Sequence, residues 1–255
     1  MVGVNYTAIR VRFEQAICFM QFARPEDGNA ITGEMVRECR HALSQCGGNI
    51  AILVIEGSAE AFCVGRDFKE VAAGGAQAEV DPEDLYDLLQ QLAAGPFITI
   101  SHVRGRANAG GVGFVAACDM AIASETAQFG LSELLFGLYP ACVLPFLIRK
   151  VGFQRAHYMT LTTRPVAAAQ AVAWGLVDVC GEESDRLLRG HLLRVRNLSK
   201  VAITRYKRYV NALDTSIVDL KAGALAGNRE IFSDPLIVQG ISRYVSTGRF
   251  PWEEV

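Results

Sequence analysis

Twice along this 255-residue chain an apolar, β-rich run leads into a turn of small residues. The first run, 51–55, precedes Ala61-Phe62-Cys63-Val64-Gly65-Arg66-Asp67. The second, 97–103, precedes Ala107-Asn108-Ala109-Gly110-Gly111-Val112-Gly113 and a helical run at 114–117. A helix start leaves its first amides without intrahelical acceptors, so such a turn can aim an N–H at a ligand oxygen. Two turns that converge supply two donors, the equipment for holding a developing oxyanion. The recurrence constrains the chain to an α/β fold in which strand, turn and helix repeat. Nucleotide binding is disfavoured, because the second turn lacks the GxGxxG spacing and no phosphate loop ending in Gly-Lys-Ser or Gly-Lys-Thr occurs.

Around these turns the patterning predicts a hairpin from 6–13 and 16–22, a breaker-rich turn at 24–30, and a helix from Thr32 to about Cys46. Residues 74–81, rich in Gly, Ala and Gln, read as a mobile loop. Pro82 opens a helix whose apolar stripe is Leu85, Leu88, Leu89 and Leu92. Further strands are expected at 120–123 and 128–129. Beyond Leu144 the pattern is mainly helical, with helices expected at 146–151, 154–161, 166–174, 184–197, 201–213, 216–232 and 235–245.

Composition excludes several functions. Lys plus Arg number 25 and Asp plus Glu 27, a net charge of −2 that gives no push toward nucleic acid or membrane. The seven cysteines form no CxxC pair and the four histidines do not cluster, so no metal site is expected. There is no basic-then-apolar leader and no apolar run of about 18 residues, which points to the cytoplasm. A serine hydrolase would need a GxSxG elbow, and none is present.

Taken in order, Arg24-Pro25 with Asn29-Ala30, the 61–67 turn, Ala109-Gly110-Gly111 with Cys118-Asp119, and Phe129-Gly130-Leu131-Ser132-Glu133 with Gly137 and Pro140 resemble the crotonase (enoyl-CoA hydratase/isomerase) superfamily. The resemblance spans essentially the whole chain. It implies an α/β fold, a crotonase-like spiral of stacked ββα units (1–190) with a C-terminal helical region (191–255) that drives trimerisation, giving a homotrimer or hexamer. It also implies an acyl thioester substrate whose carbonyl oxygen accepts N–H bonds from Arg66 and Gly110. No separate cofactor is implied: the acyl group rides on phosphopantetheine of an acyl carrier protein, or on coenzyme A, with Phe62, Cys63 and Gly65 flanking the arm. The segments Ile100-Ser101-His102-Val103-Arg104-Gly105, 131–146 and Phe250-Pro251-Trp252-Glu253 are similar to the dehydratases of polyketide β-branching cassettes. That narrower resemblance implies loss of water from a 3-hydroxy-3-methylglutaryl thioester on a carrier protein.

Members of the superfamily usually place two glutamates over the enoyl unit. Here Glu133 matches the second, while Gly113 stands at the first. One carboxyl can serve both proton transfers in turn, or a tyrosine or water can take the second role. Alone, Glu133 suits an acid at the start of 134–136; the resemblance assigns it the catalytic role. Tyr139, Cys142, Asn108 and Tyr86 are the candidate substrate contacts, with core packing or turn formation as the alternative for each. Asp67 is expected to fix its own turn and His102 to be a paired structural histidine. Arg66, Arg104 and Arg106 are candidates for the substrate's distal carboxylate. The basic stretch Arg194, Arg196, Lys200, Arg205, Lys207 and Arg208 is either a solvated helix face, a grip on coenzyme A, or a docking surface for an acidic carrier. Two other readings remain: another crotonase activity (CoA-level hydratase/isomerase or decarboxylase) and a non-catalytic RNA-binding scaffold, which the balanced charge weakens.

Overall fold

A strand buried on both faces needs no polar alternation. The strand Ile52–Glu56 illustrates this: Leu53 and Ile55 enter one core while Ile52 and Val54 enter another. The computed structural model describes residues 5–74 and 80–253. Its larger sheet has six strands in the order β1 (Ile9–Glu14), β2 (Ile17–Phe22), β3 (Ile52–Glu56), β5 (Ile98–Val103), β7 (Met120–Ser124) and β10 (Val179–Gly181). Only β1 and β2 pair antiparallel, through the expected hairpin. The smaller sheet runs β4 (Ala61–Cys63), β6 (Arg106–Asn108), β8 (Gln128–Gly130) and β9 (Val166–Ala167).

The two sheets alternate along the chain. β3, β5 and β7 lie side by side in the large sheet, and each is followed by a short strand, β4, β6 or β8, in the small one. Each pair then leads into helical structure, so the chain winds as stacked ββα turns, the spiral that the resemblance implied. Helices α1 (Gly33–Gln45), α2 (Phe68–Ala73), α3 (Pro82–Ala94), α4 (Gly110–Ala117), α5 (Leu144–Val151), α6 (Phe153–Thr162) and α7 (Ala168–Trp174) belong to this part. Thr32 caps α1 by accepting from Met35 N, and Asp81 caps α3 by accepting from Glu83 N, as the starts at Thr32 and Pro82 suggested. Helices α8 (Ser184–Val195), α9 (Lys200–Leu213), α10 (Ser216–Asp219), α11 (Lys221–Ser233) and α12 (Pro235–Thr247) complete the chain.

Five local expectations change. The segment 61–63 is strand β4, not turn, and part of the second turn is strand β6. α4 begins at Gly110, ahead of the apolar run at 114–117, because packing overrides glycine's poor helix propensity. A Cβ at Gly111 would stand 2.0 Å from the Cys63 carbonyl oxygen. The helix expected at 166–174 yields its first two residues to β9, and that expected at 216–232 breaks at Leu220 into α10 and α11. Of the loop read at 74–81, residues 75–79 lie outside the described residues.

Two lysines tie α9 to the sheet region, one buried and one half-buried. Asp119 accepts from Thr99 N at 2.9 Å and forms an ion pair with the buried Lys207, which also donates to Ala93 O at 2.7 Å. Lys200 donates to Ile50 O and lies over the Phe97 ring. Two members of the basic stretch are therefore braces between α9 and the sheet region; Arg205 and Arg208 are exposed. Removing Asp119 would leave the buried Lys207 charge without its carboxylate, at a cost of up to about 3–5 kcal/mol. Asp119→Ala is expected to lower the melting temperature sharply, whereas Arg205→Glu leaves it nearly unchanged in the same thermal scan.

Candidate active site

The segment after β2 places the first turn. Ile31 pairs with the strand-like stretch around Arg66 as a parallel bridge, with Ile31 N donating to Gly65 O at 2.7 Å and Asp67 N to Ile31 O at 3.0 Å. In a parallel bridge the residue between those two bonds turns its own amide to the other side. The Arg66 N–H thus points away from Ile31. Asn29, fully buried, accepts from Arg24 N and donates to Ala61 O at 2.8 Å, and Arg24 reaches Asp27 and Asp67. That is the structural work of the Arg24-Pro25 and Asn29-Ala30 motif. Asp67 caps α2 through Lys69 N, the turn-fixing role expected of it.

The second turn lies against the first. Gly65 has φ +97°, and a Cβ there would sit 2.6 Å from Ala109 Cβ and 3.4 Å from Gly110 N. Glycine is required at 65 both by its backbone and by this approach. Ala109 itself holds φ +50°, a conformation that L-residues rarely take, as its amide bonds Gly130 O at 2.9 Å. The strained alanine delivers Gly110 as the first residue of α4, where amides precede the intrahelical ladder. The amides of Arg66 and Gly110 therefore come from two abutting turns.

Beside them opens a cavity of about 650 Å³. Gly110, Arg66, Asn108, Glu133, Tyr139 and Cys142 all contribute to its lining. Ile31, Val64, Phe136, Leu138 and Val143 make much of the remaining wall apolar. Glu133 stands at the start of a short 3₁₀ turn, Glu133–Phe136, and its Oε2 is buried with no hydrogen-bond partner among the described residues. Burial pushes its carboxyl up to about 7, against a smaller opposing effect of its own backbone amide. A carboxyl so tuned exchanges protons near neutral pH. Asn108 positions this segment: its Nδ2 donates to Ser132 Oγ at 2.8 Å, linking β6 to the residue before Glu133.

The position of the missing carboxylate is held by a glycine. A Cβ on Gly113 would lie 3.0 Å from Val143 Cγ2 and 3.4 Å from Leu89 Cδ1, a tight fit that those side chains would have to yield to. Tyr139 lines the cavity, but its hydroxyl donates to Gly227 O and Glu230, each at 3.3 Å, and burial raises its pKa. It acts as a strut to α11. Burial holds the Cys142 thiol up at about 11, so it stays protonated at neutral pH.

Four expected contacts, Tyr86, Phe62, Cys63 and Gly65, do not line the cavity. Tyr86 is fully buried, packs on Phe146 and donates to Ile217 O at 2.7 Å. Phe62 and Cys63 are fully buried in β4, Phe62 against Phe22 and Cys63 beneath Gly111, because the segment is a paired strand rather than an open turn. Gly65 supports the site by letting the two turns touch. His102 is paired on both sides, with Glu56 and Ser184 at 3.0 Å each, as a structural histidine. Arg104 donates to Gly57 O at 2.8 Å and is not part of the cavity wall. The basic helix α9 does not line it either.

Sequence reasoning missed the roof. Asn228, Ile231 and Phe232 of α11 and Tyr244 and Val245 of α12 line the cavity, so the C-terminal helices fold back over the site. Phe136 joins them, with Tyr244 and Phe250 rings about it at 4.9 and 5.3 Å. Only the apolar faces of those helices hinted at it. Among the described residues no group of His, Cys, Asp and Glu could hold a metal ion, and no helix is long and apolar enough to cross a membrane.

Residues 12–255 match the family model for enoyl-CoA hydratase/isomerase. The chain is 51% identical over 255 residues to the bacillaene synthase dehydratase PksH of Bacillus subtilis, covering 98% of each. It is 31% identical to a probable enoyl-CoA hydratase of Rhodobacter capsulatus over 79% of this chain and 81% of that one. A crystal structure described as a putative polyketide biosynthesis enoyl-CoA hydratase from Bacillus subtilis superposes with a TM-score of 0.93 at 52% identity, covering 97% of this chain and all of the other.

Proposed function

This chain belongs to the enoyl-CoA hydratase/isomerase family and is an enzyme of that family; from that premise we propose that it dehydrates a 3-hydroxy-3-methylglutaryl thioester carried on an acyl carrier protein, giving the 3-methylglutaconyl thioester of a polyketide pathway. The observation that carries this reading is the buried carboxyl of Glu133, whose Oε2 has no partner among the described residues, beside two abutting amide-bearing turns, with Gly113 at the second carboxylate position. Full-length similarity to a bacillaene synthase dehydratase supports a dehydratase of polyketide biosynthesis.

The thioester oxygen accepts the Arg66 and Gly110 N–H groups, which makes the α-proton acidic by holding the enolate. Ionised Glu133 takes that proton. The enolate then expels the β-hydroxyl, which leaves as water after receiving the same proton back from Glu133. One C–H and one C–O bond break, one C=C forms, and the carboxylate is regenerated. A group titrating at about 7 has both forms available for this sequence. A syn elimination on one face suits one shuttling acid.

The phosphopantetheine arm would enter past Val64 and the exposed lining residues Glu26 and Lys69. An acidic carrier would meet exposed cations such as Arg205 and Arg208, assembly would be a trimer or hexamer, and the seven thiols fit a reducing cytoplasm. The test is mass spectrometry of 3-hydroxy-3-methylglutaryl-loaded carrier incubated with the protein. Loss of water supports the reading. An unchanged mass refutes it, and loss of carbon dioxide from a 3-methylglutaconyl carrier would assign the decarboxylase activity instead.

A further inference from the structure

The segment that carries Glu133 runs between two hydrophobic cores. Leu131 belongs to the main core, whereas Phe136 and Leu138 belong to a separate one that the C-terminal helices complete with Ile231 and Ile241. In a 3₁₀ turn residues three apart eclipse, so Glu133 and Phe136 share one face, and both line the cavity. Whatever fixes Phe136 therefore fixes the turn that carries the carboxyl. Phe136 is buried, and three rings box it in: Phe68 of α2 at 4.9 Å, Tyr244 of α12 at 4.9 Å, and Phe250 at 5.3 Å. The first two contacts are edge-on, an arrangement that aromatic pairs favour.

Phe250 comes from the segment Phe250-Pro251-Trp252-Glu253, which the proposed chemistry does not use. The chain turns at Gly248, whose φ of +75° ends α12, and runs back along that helix. A Cβ at Gly240 would lie 3.1 Å from Pro251 Cγ, so Pro251 rests directly on α12. Arg243 Nη2 donates to Phe250 O at 2.8 Å and to Pro251 O at 2.9 Å, and Glu253 closes the tail on itself by accepting from Phe250 N at 2.7 Å. Phe250 also meets Tyr244 at 5.1 Å and stacks on Trp252 at 5.5 Å, yet Arg243, Phe250 and Trp252 are set back from the cavity wall. We propose that this tail is a latch for the shuttling acid: Arg243 holds it on α12, Phe250 closes the aromatic box on Phe136, and the box keeps the Glu133 carboxyl dry and in place. Phe250 and Arg243 are thus positioning residues that act through Phe136. The latch rests on Glu133 as the proton shuttle of the proposed dehydration and adds what holds that residue. Opening the box lets water reach the carboxyl, which undoes part of the burial that pushes it up to about 7.

The test compares Phe250→Ala, Phe250→Leu and Arg243→Met, with Asp119→Ala as the control for a merely less stable chain. The first readout is the pH profile of kcat/KM on the loaded carrier, which reports ionisation of the free enzyme. With ionised Glu133 as the base, kcat/KM of the parent rises through about pH 7. Phe250→Ala and Arg243→Met are expected to move that limb at least about one unit lower and to cut kcat at pH 8 about tenfold, with KM little changed. Phe250→Leu, which refills most of the box, should recover much of both, and Asp119→Ala should leave the limb in place. The second readout needs no turnover. Burial makes Glu133 costly only where it is charged, so Glu133→Gln should raise the melting temperature more at pH 8 than at pH 4, and this difference should shrink by about half in the Phe250→Ala and Arg243→Met backgrounds. An unmoved limb or an undiminished melting difference in these variants overturns the latch, and so does an equal shift of the limb in Asp119→Ala. If the wild-type protein releases no water from loaded carrier, the dehydration falls and the melting comparison still decides the latch.

Discussion

Glu133→Gln is expected to lower turnover on the loaded carrier by about 10³-fold while the fold survives, within the range usual for a positioned proton-transfer group. The amide fills the same volume but cannot accept the α-proton. The same substitution carries an opposite signature in stability. Burial pushes the Glu133 carboxyl up to about 7 in the folded protein, from about 4.5 for a free glutamate. Between those values the folded chain binds more protons than the unfolded chain, so stability falls as pH rises through this window. Above about 7 the full cost of burying the charged carboxylate is present, on the order of 3 kcal/mol; below the unfolded value it is absent. Glu133→Gln should therefore raise the melting temperature at pH 8 relative to the parent and change it little at pH 4. Near-normal turnover in the folded variant would remove Glu133 from the chemistry. Equal melting shifts at both pH values would mean that its carboxyl is not held uncharged by burial.

That combination, a less stable parent and an inactive but sturdier variant, is what separates a site residue from a structural acid. Asp119 is the contrast within the same fold. Its carboxylate accepts from Thr99 and pairs with Lys207, so truncating it would remove stability and gain nothing at any pH where it is charged.

The strand-to-helix repeats were readable because β3 and β5 are largely apolar runs buried on both faces, each leading into a turn of small residues. Glu133 and the Gly110 turn were readable because glycine clusters and a lone acid in an apolar stretch are conspicuous. The short strands were not. β4 and β6 have three residues each, too few for a period to show, and their pairing is decided by contacts between segments more than forty residues apart. For the same reason Phe62 and Cys63 looked like turn residues beside a ligand when they are core. Tyr86 fell on the stripe of α3, and only the partner at Ile217 shows that its hydroxyl is spent in the interior. The roof was hidden because nothing local in α11 tells Phe232 that it will lie against Arg66. In the basic stretch, charge alone could not separate the buried brace Lys207 from the exposed Arg205.

Gly110→Pro is expected to cost about 10²–10³ in kcat, the usual effect of losing one donor to a developing oxyanion. Gly110 is the first residue of α4, a position at which proline suits the helix and removes only an amide that the helix does not use. Proline does restrict the residue before it, and Ala109 already holds φ +50°. A second variant therefore controls for displacement of the turn. Gly110→Ala keeps the N–H and places its Cβ 2.5 Å from Ile31 Cδ1, the far end of a flexible side chain that has to shift. If the donor matters, the alanine variant keeps much of its kcat, with KM bearing the effect of the crowded wall, while the proline variant loses kcat at a comparable melting temperature. Equal losses in both would assign the effect to geometry of the turn. Full activity in a folded proline variant would take the Gly110 amide out of the mechanism and leave Arg66 as the only proposed donor from the two turns.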